Sequence, residues 1–310
     1  MGMNKRPLII DCDPGVDDAI ALFTAFQSPE FDLLAITTVA GNVGIEDTTR
    51  NALQLCDVAG VNVPVAKGAA QPLFRTSVFA DHVHGKTGLR TLVLPAPSRE
   101  ALPNAIHVIR DAILAHPHEI EILAVGPLTN IAQVFLLDPT LPSLIKSITI
   151  MGGGHRHGNM TPAGEFNIVV DPEAARIVFE AGVPLYMVGL DVTMADGLRP
   201  AEIDHYFEGS NKQTDVIHHI LKDMVYAEGK HYKEAAYIHD AMALLFMLDP
   251  SILEGDWYHV DLETKSSISY GKTVVDYYHV TKKPKNVWVA LGLNADKYKA
   301  ALKERLHRYQ

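Results

Sequence analysis

Four carboxylates fall within eight residues near the start of the chain, in Asp11-Cys12-Asp13-Pro14-Gly15-Val16-Asp17-Asp18. Like charges packed this closely repel unless a cation or a set of hydrogen-bond donors compensates them. Asp17 and Asp18 are placed to start a helix, where the positive end of the macrodipole favours anions. That accounts for one or two of the four acids and leaves Asp11 and Asp13 unexplained. The chemistry that accounts for all of them is a hard-cation site built from carboxylate oxygens. Calcium takes about six to eight oxygens, so such a site needs acids from elsewhere in the chain. The pair His239-Asp240, at the head of the apolar segment 241–248, is the best distant source. Asp240 reads there equally well as a helix cap or as a ligand.

The acids must be positioned by the elements around them. Leu8 to Cys12 is a short buried strand, and Ala19, Leu22, Phe23 and Phe26 share one face of the helix that follows. Further strands are expected at 33–39, 63–66, 120–125, 148–151 and 184–190. Helices are expected from about Glu46, at 105–115 and at 128–137. Asp171 to Gly182 has aspartate as N-cap, Pro172 in the first turn, Glu173 at the positive helix end and glycine at the stop. Strand and helix in alternation predict an α/β fold, an open, mostly parallel sheet with helices on both faces. No repeat or low-complexity linker divides it, so residues 1–310 read as one domain. The acids then stand at the carboxyl end of a strand, where open α/β sheets bind ligands.

Two stretches lack periodicity, 68–100 with His82 and His84, and the glycine-rich 152–167. Long irregular segments in such a domain are more often functional than accidental. In the second, Glu165 and Asn167 stand two apart as a same-face polar pair. The segment 206–237 reads as helical and histidine-rich, and 274–280 as a late strand.

Of 310 residues, 47% are hydrophobic and 21% charged, the profile of a globular chain with ample core. A formal charge of -10 repels phosphate backbones and anionic bilayers, which speaks against nucleic acid or membrane as partner. Cys12 and Cys56 are too few for a disulfide framework or a four-ligand zinc site. The opening residues do not form a signal-peptide core, and no apolar run reaches membrane-helix length, so a cytoplasmic location is expected.

The acidic segment resembles the N-terminal signature of the inosine-uridine-type nucleoside hydrolases. The resemblance continues through Ala40-Gly41-Asn42, Val125-Gly126-Pro127-Leu128-Thr129-Asn130, Met151-Gly152-Gly153-Gly154, Glu165-Phe166-Asn167, Asp171-Pro172-Glu173-Ala174-Ala175 and His239-Asp240. These occur in family order. The resemblance implies a Rossmann-like sheet, bound calcium (Ca2+), and hydrolysis of the N-glycosidic bond of ribonucleosides such as uridine, inosine and cytidine. It implies a homodimer or homotetramer as well.

By this resemblance Asp13, Asp18 and Asp240 would hold calcium with the main-chain carbonyl of Val125, and Asp13 would also be the general base. Asp11 would orient its neighbours, or serve structure alone. Asp17, Asn42, Asn159, Glu165 and Asn167 would bind the ribose, and Met151 would lie under the sugar. As single residues, Asn42 and Asn159 would each read as turn formers and Met151 as core. His239 would help protonate the leaving base, and His84 matches an active-site histidine. Lys86 stands where the family more often has an acid. His82, His218, His219 and His231 lack such support and read as surface residues. Trp257 and Trp288 read as late-strand core, outside the loop where a base-stacking tryptophan would be expected.

Two rivals share parts of the pattern. A haloacid-dehalogenase-type phosphatase also puts two aspartates one residue apart after its first strand, but expects threonine or valine soon after the second. A non-catalytic sugar-binding protein would suit the polar residues, yet its bacterial forms are usually exported.

Overall fold

The computed structural model describes residues 5–206, 211–227, 230–231 and 234–309. The first apolar run lies in the middle of its sheet, as strand β1 (Arg6–Cys12). Leu8, Ile10 and Cys12 point into the core on one face of the sheet, and Ile9 into the core on the other. Burial on both faces is why the strand reads as continuous hydrophobic sequence and not as an alternating one.

From there the chain runs through α1 (Val16–Phe26), β2 (Phe31–Thr38), α2 (Ile45–Ala59), β3 (Val65–Lys67) and the single turn α3 (Asp81–His84). It continues with α4 (Ala105–Ala115), β4 (Glu121–Ala124), α5 (Thr129–Leu137), β5 (Ser147–Met151), α6 (Phe166–Val170), α7 (Pro172–Glu180) and β6 (Leu185–Val188). After α8 (Leu190–Thr193), α9 (Pro200–Tyr206) and α10 (Lys212–Val225) come the short strands β7 (Tyr226–Ala227) and β8 (Lys230–His231). The last elements are α11 (His239–Leu248), β9 (Leu253–Tyr258), β10 (Val260–Leu262), β11 (Thr273–Val275), β12 (Val287–Leu293) and α12 (Ala295–His307).

Eight strands form the main sheet in the order β3-β2-β1-β4-β5-β6-β12-β9. Every neighbouring pair in it is parallel except β12 with β9. This is the open, mostly parallel α/β architecture expected. The chain moves outward from β1 through β2 to β3, then returns to the other side of β1 at β4. Beyond the carboxyl ends of β1 and β4 the connections diverge and leave a crevice, where ligands bind in such sheets.

Local chemistry sets several boundaries. Asp171 caps α7 by accepting from the Ala174 amide at 3.0 Å, Pro172 occupies the first turn, and Gly182 has φ +78° just beyond the end. The expected strand at 274–280 is shorter: β11 ends at Val275, and Tyr278 and Val280 are exposed. β11 pairs only with β10, away from the main sheet, so apolar residues past it have no second layer to enter. Of the helical expectation over 206–237, α10 is the helix observed, followed by the β7–β8 pair. The side chain of His231 lies outside what is described. Among the described residues no helix is long and apolar enough to cross a membrane.

Candidate active site

Beyond β1 the chain turns at Pro14-Gly15 into α1, so the four acids fan out in different directions. Asp11 is still in the strand and turns away from the crevice. Its Oδ1 accepts from Thr37 Oγ1 at 2.5 Å and from Asn130 Nδ2 at 2.8 Å. Burial lifts its pKa to about 7, against the pull of those two bonds. Asp11 thus braces β1 against β2 and α5.

Asp13 and Asp18 lie fully buried beneath the crevice and share donors. Asp13 Oδ2 accepts from the Asn42 amide at 2.6 Å, while no hydrogen-bond partner is found for its Oδ1. Asp18 accepts from the amides of Asp13 (3.2 Å) and Gly15 (3.0 Å) and from Asn42 Nδ2 (3.0 Å). Asn42 Nδ2 also donates to the Asp13 carbonyl at 3.1 Å, so both its amide hydrogens serve the acids. Glycine is required where the chain passes Asp13. A Cβ at Gly41 would stand 2.1 Å from Oδ2, and one at Gly126 would stand 2.7 Å from Oδ1.

Asp17, Asp18 and Asp240 converge, with one carboxylate oxygen from each within 4.8 Å of the others. Asp240 comes from the first turn of α11, which packs against α1, so one helix–helix contact brings the distant acid to the first cluster. Asp13 is not part of this converging group. Burial pushes Asp18 up to about 7, with the Asp17 charge adding to it. Asp13 and Asp240 are raised well above the carboxylate range, again first by burial and then by neighbouring aspartates. Asp17 Oδ1, like Asp13 Oδ1, is buried and has no hydrogen-bond partner. Crowded carboxylates with unpartnered oxygens suit a hard cation, and the donor set is oxygen only.

Above them opens a cavity of about 870 Å³, mouth included. Asp17, Asn42, Val125, Met151, Asn159, Glu165, Asn167, His84, His239 and Asp240 all line it; Asp13 and Asp18 lie below its surface. Glu165 caps α6, accepting from the amides of Asn167 and Gly153, and burial raises it to about 7. Asn167 Nδ2 donates to the carbonyls of Val125 (2.9 Å) and Met151 (3.0 Å), leaving its Oδ1 to offer a ligand. Asn159 accepts from the Phe166 amide at 2.9 Å. His84 Nδ1 accepts from the Val16 amide at 3.2 Å and lies 3.9 Å from Asp17 Oδ1. His239 Nδ1 is hydrogen-bonded to Thr193 Oγ1 at 2.8 Å.

The cavity wall also holds residues that sequence reasoning passed over: Arg90, Met160, Met224 and Tyr237. His82, read as a surface residue, is exposed but stands at the rim. His82, Arg90 and Met160 lie in the irregular segments and Met224 and Tyr237 in the segment read as helical, and none had a further local signal. Trp257 and Trp288 pair across β9 and β12, pack with Tyr186, and lie outside the cavity.

A mostly parallel sheet with buried carboxylates converging under a polar-floored cavity at its switch point is the arrangement of an α/β enzyme with a candidate cation site. A family model described as inosine-uridine preferring nucleoside hydrolase matches residues 8–300. The chain belongs to that family and is a nucleoside hydrolase. It is 42% identical to the pyrimidine-specific ribonucleoside hydrolase of Photobacterium profundum, over 98% of this chain and 100% of that one. With the pyrimidine-specific ribonucleoside hydrolase of Escherichia coli it shares 37% identity over 99% of each. Among solved structures, the purine-preferring ribonucleoside hydrolase of Gardnerella vaginalis superposes with TM-score 0.90 at 29% identity, covering 97% of this chain and 98% of that one.

Proposed function

We propose that the enzyme hydrolyses the N-glycosidic bond of ribonucleosides, pyrimidine ribonucleosides foremost, with calcium as cofactor. The observation that carries this reading is the convergence of Asp17, Asp18 and Asp240 under a cavity floored by Glu165 and Asn167. The pyrimidine preference rests on the names of the relatives at 37–42% identity and on the absence of tryptophan from the cavity wall among the described residues.

Asp18 and Asp240 would hold the ion with Asp17 beside them, and Asp13 and the Val125 carbonyl would complete the set. The ion's contribution when bound is positive charge, which lowers the pKa of nearby water and neutralises the carboxylates. Asp13 takes a proton from the attacking water through the oxygen that Asn42 does not occupy. Asp17, Asn167 and Glu165 hold the sugar hydroxyls, and the carboxylates of Asp17 and Glu165 steady the ring as it becomes oxocarbenium-like. Water's oxygen bonds to C1′, the C1′–N bond breaks, and the base leaves with the electron pair. His239, oriented by Thr193, delivers a proton to it. Met151 lies under the sugar, and Asn42 and Asn159 hold the floor and the loop in register. The wider set of assignments further implies a cytoplasmic homodimer or homotetramer of single-domain chains.

Steady-state kinetics on uridine, cytidine, inosine and adenosine, with and without a calcium chelator, test this. Uridine should be cleaved at least as fast as adenosine, and chelation should abolish turnover until calcium is restored. No free base from any ribonucleoside would overturn the reading.

Calcium binding should depend on pH. A carboxyl raised from 3.8 to about 7 binds its proton more tightly in the metal-free fold than in the unfolded chain. That contribution to stability is present at low pH and is lost as pH rises through about 7. Calcium must displace the proton, so affinity should weaken about tenfold per pH unit below 7 for each proton displaced. Melting curves at pH 6 and pH 8 should show a larger calcium-induced rise in Tm at pH 8. An equal rise at both would mean that these acids do not bind the ion.

His239→Ala should lower turnover on uridine by about 10²-fold, the scale of a lost proton donor. On p-nitrophenyl riboside, whose phenolate leaves unprotonated, the loss should be small. Equal losses on both substrates would make His239 a group that orients the substrate.

A further inference from the structure

We propose that Asp223 is a positioning residue for the hydrolysis, tying the loop that carries His84 and Arg90 to α10 and so fixing one wall of the cavity. This rests on the reading that the cavity binds the nucleoside.

The loop after α3 turns through left-handed backbone at three residues, one of which does not prefer it. Gly85 and Gly88 have φ +74° and +92°, and Arg90, with a side chain, has φ +53°. Left-handed backbone at a non-glycine residue persists only where the surroundings impose it. Within the loop, the Arg90 amide donates to the His84 carbonyl at 2.8 Å, so the position of Arg90 sets that of His84. At the β1 side, Asn51 Nδ2 donates to the carbonyls of Pro14 and Thr87.

At the other side the loop is held by α10, and Asp223 makes most of the described bonds. Asp223 Oδ2 accepts from both the amide (3.1 Å) and the hydroxyl (2.6 Å) of Thr91, directly after the strained Arg90. The main-chain carbonyl of Asp223 accepts from the Arg90 guanidinium. One turn earlier on α10, His219 Nε2 is 2.8 Å from Thr91 Oγ1 and 3.5 Å from Asp223 Oδ2. The residue after Asp223, Met224, lines the cavity, as do Arg90 and His84. Asp223 therefore joins two pieces of wall from behind, without itself lining the cavity. An acid suits this place because one carboxylate oxygen can accept two bonds at once, and charge strengthens both.

The test compares Asp223→Ala, Asp223→Asn and His84→Ala, alone and combined, by kcat and KM on uridine, Tm, and amide exchange at Thr91. Asp223→Ala should lower kcat by about 10- to 100-fold, the scale of a misplaced active-site group, with Tm nearly unchanged. Asp223→Asn keeps an oxygen that accepts from Thr91 and should recover to within about threefold of the parent. Adding Asp223→Ala to His84→Ala should cost less than it does alone, because both act on the same wall. The Thr91 amide should exchange faster in the alanine variant only. Normal kcat in Asp223→Ala, losses that multiply in full with His84→Ala, or equal damage from Ala and Asn tracking a fall in Tm would each overturn the proposal. If the parent enzyme releases no base from any ribonucleoside, the nucleoside reading fails, while amide exchange at Thr91 still decides whether Asp223 holds the loop.

Discussion

Asp13→Asn should give a folded protein with turnover on uridine reduced by about 10⁴-fold or more. Removing a general base alone costs about 10²–10⁴-fold, and this residue also stands beside the proposed ion. The surroundings are shaped to a carboxylate. The Asn42 amide donates to one oxygen, no hydrogen-bond partner is found for the other, and Gly41 and Gly126 leave no room for a larger group. Asparagine has the same outline, so its oxygen can keep the Asn42 bond while its amide nitrogen takes the other position, where it cannot accept a proton from water. Folding should survive, because the substitution removes one charge from a buried cluster in which Asp18 and Asp17 already oppose Asp13. Kinetics on uridine with Tm in parallel check this. Turnover within about tenfold of the parent would remove Asp13 from the chemistry. Calcium still bound with turnover lost would separate the base role from the ligand role.

Uridine should be cleaved about 10⁴-fold better than 2′-deoxyuridine in kcat/KM. A site that hydrogen-bonds a hydroxyl pays heavily for its absence, since its own polar groups are then buried without partners. The cavity floor is built of such groups. Asp17 Oδ1 has no hydrogen-bond partner, Asp240 is almost wholly buried, and both amide hydrogens of Asn167 are committed to the chain's own carbonyls. A missing 2′-hydroxyl also withdraws a hydrogen-bond donor from the converging acids. Comparable rates on the two substrates would mean that the sugar does not sit over Asp17 and Asn167.

Much of this architecture was legible because its causes are local. Leu8 to Cys12 is apolar throughout because β1 is covered on both faces, and a run of that length can be read without knowing what covers it. Asp171 and Gly182 punctuate α7 through their own backbone chemistry. The acids from Asp11 to Asp18 pointed to a candidate cation site because four like charges in so short a segment need a common explanation. Their number and spacing, with the family motifs in order, were enough to identify the class of enzyme.

What the tertiary structure decided is how those acids divide. Asp11 turns to Thr37 and Asn130 and braces the sheet, while Asp17 and Asp18 meet Asp240, which α11 delivers by packing on α1. Asn42, read as a ribose ligand, spends both amide hydrogens on Asp13 and Asp18. Of the far wall only His84 was legible, and not what holds it in place. Arg90 reaches Asp223 across 133 positions of sequence, from an irregular segment to a helix, and no motif joins them. Periodicity and capping report only the energy a segment gains from its neighbours in the chain. A wall formed where a loop meets a helix depends on the rigid sheet that holds both in place.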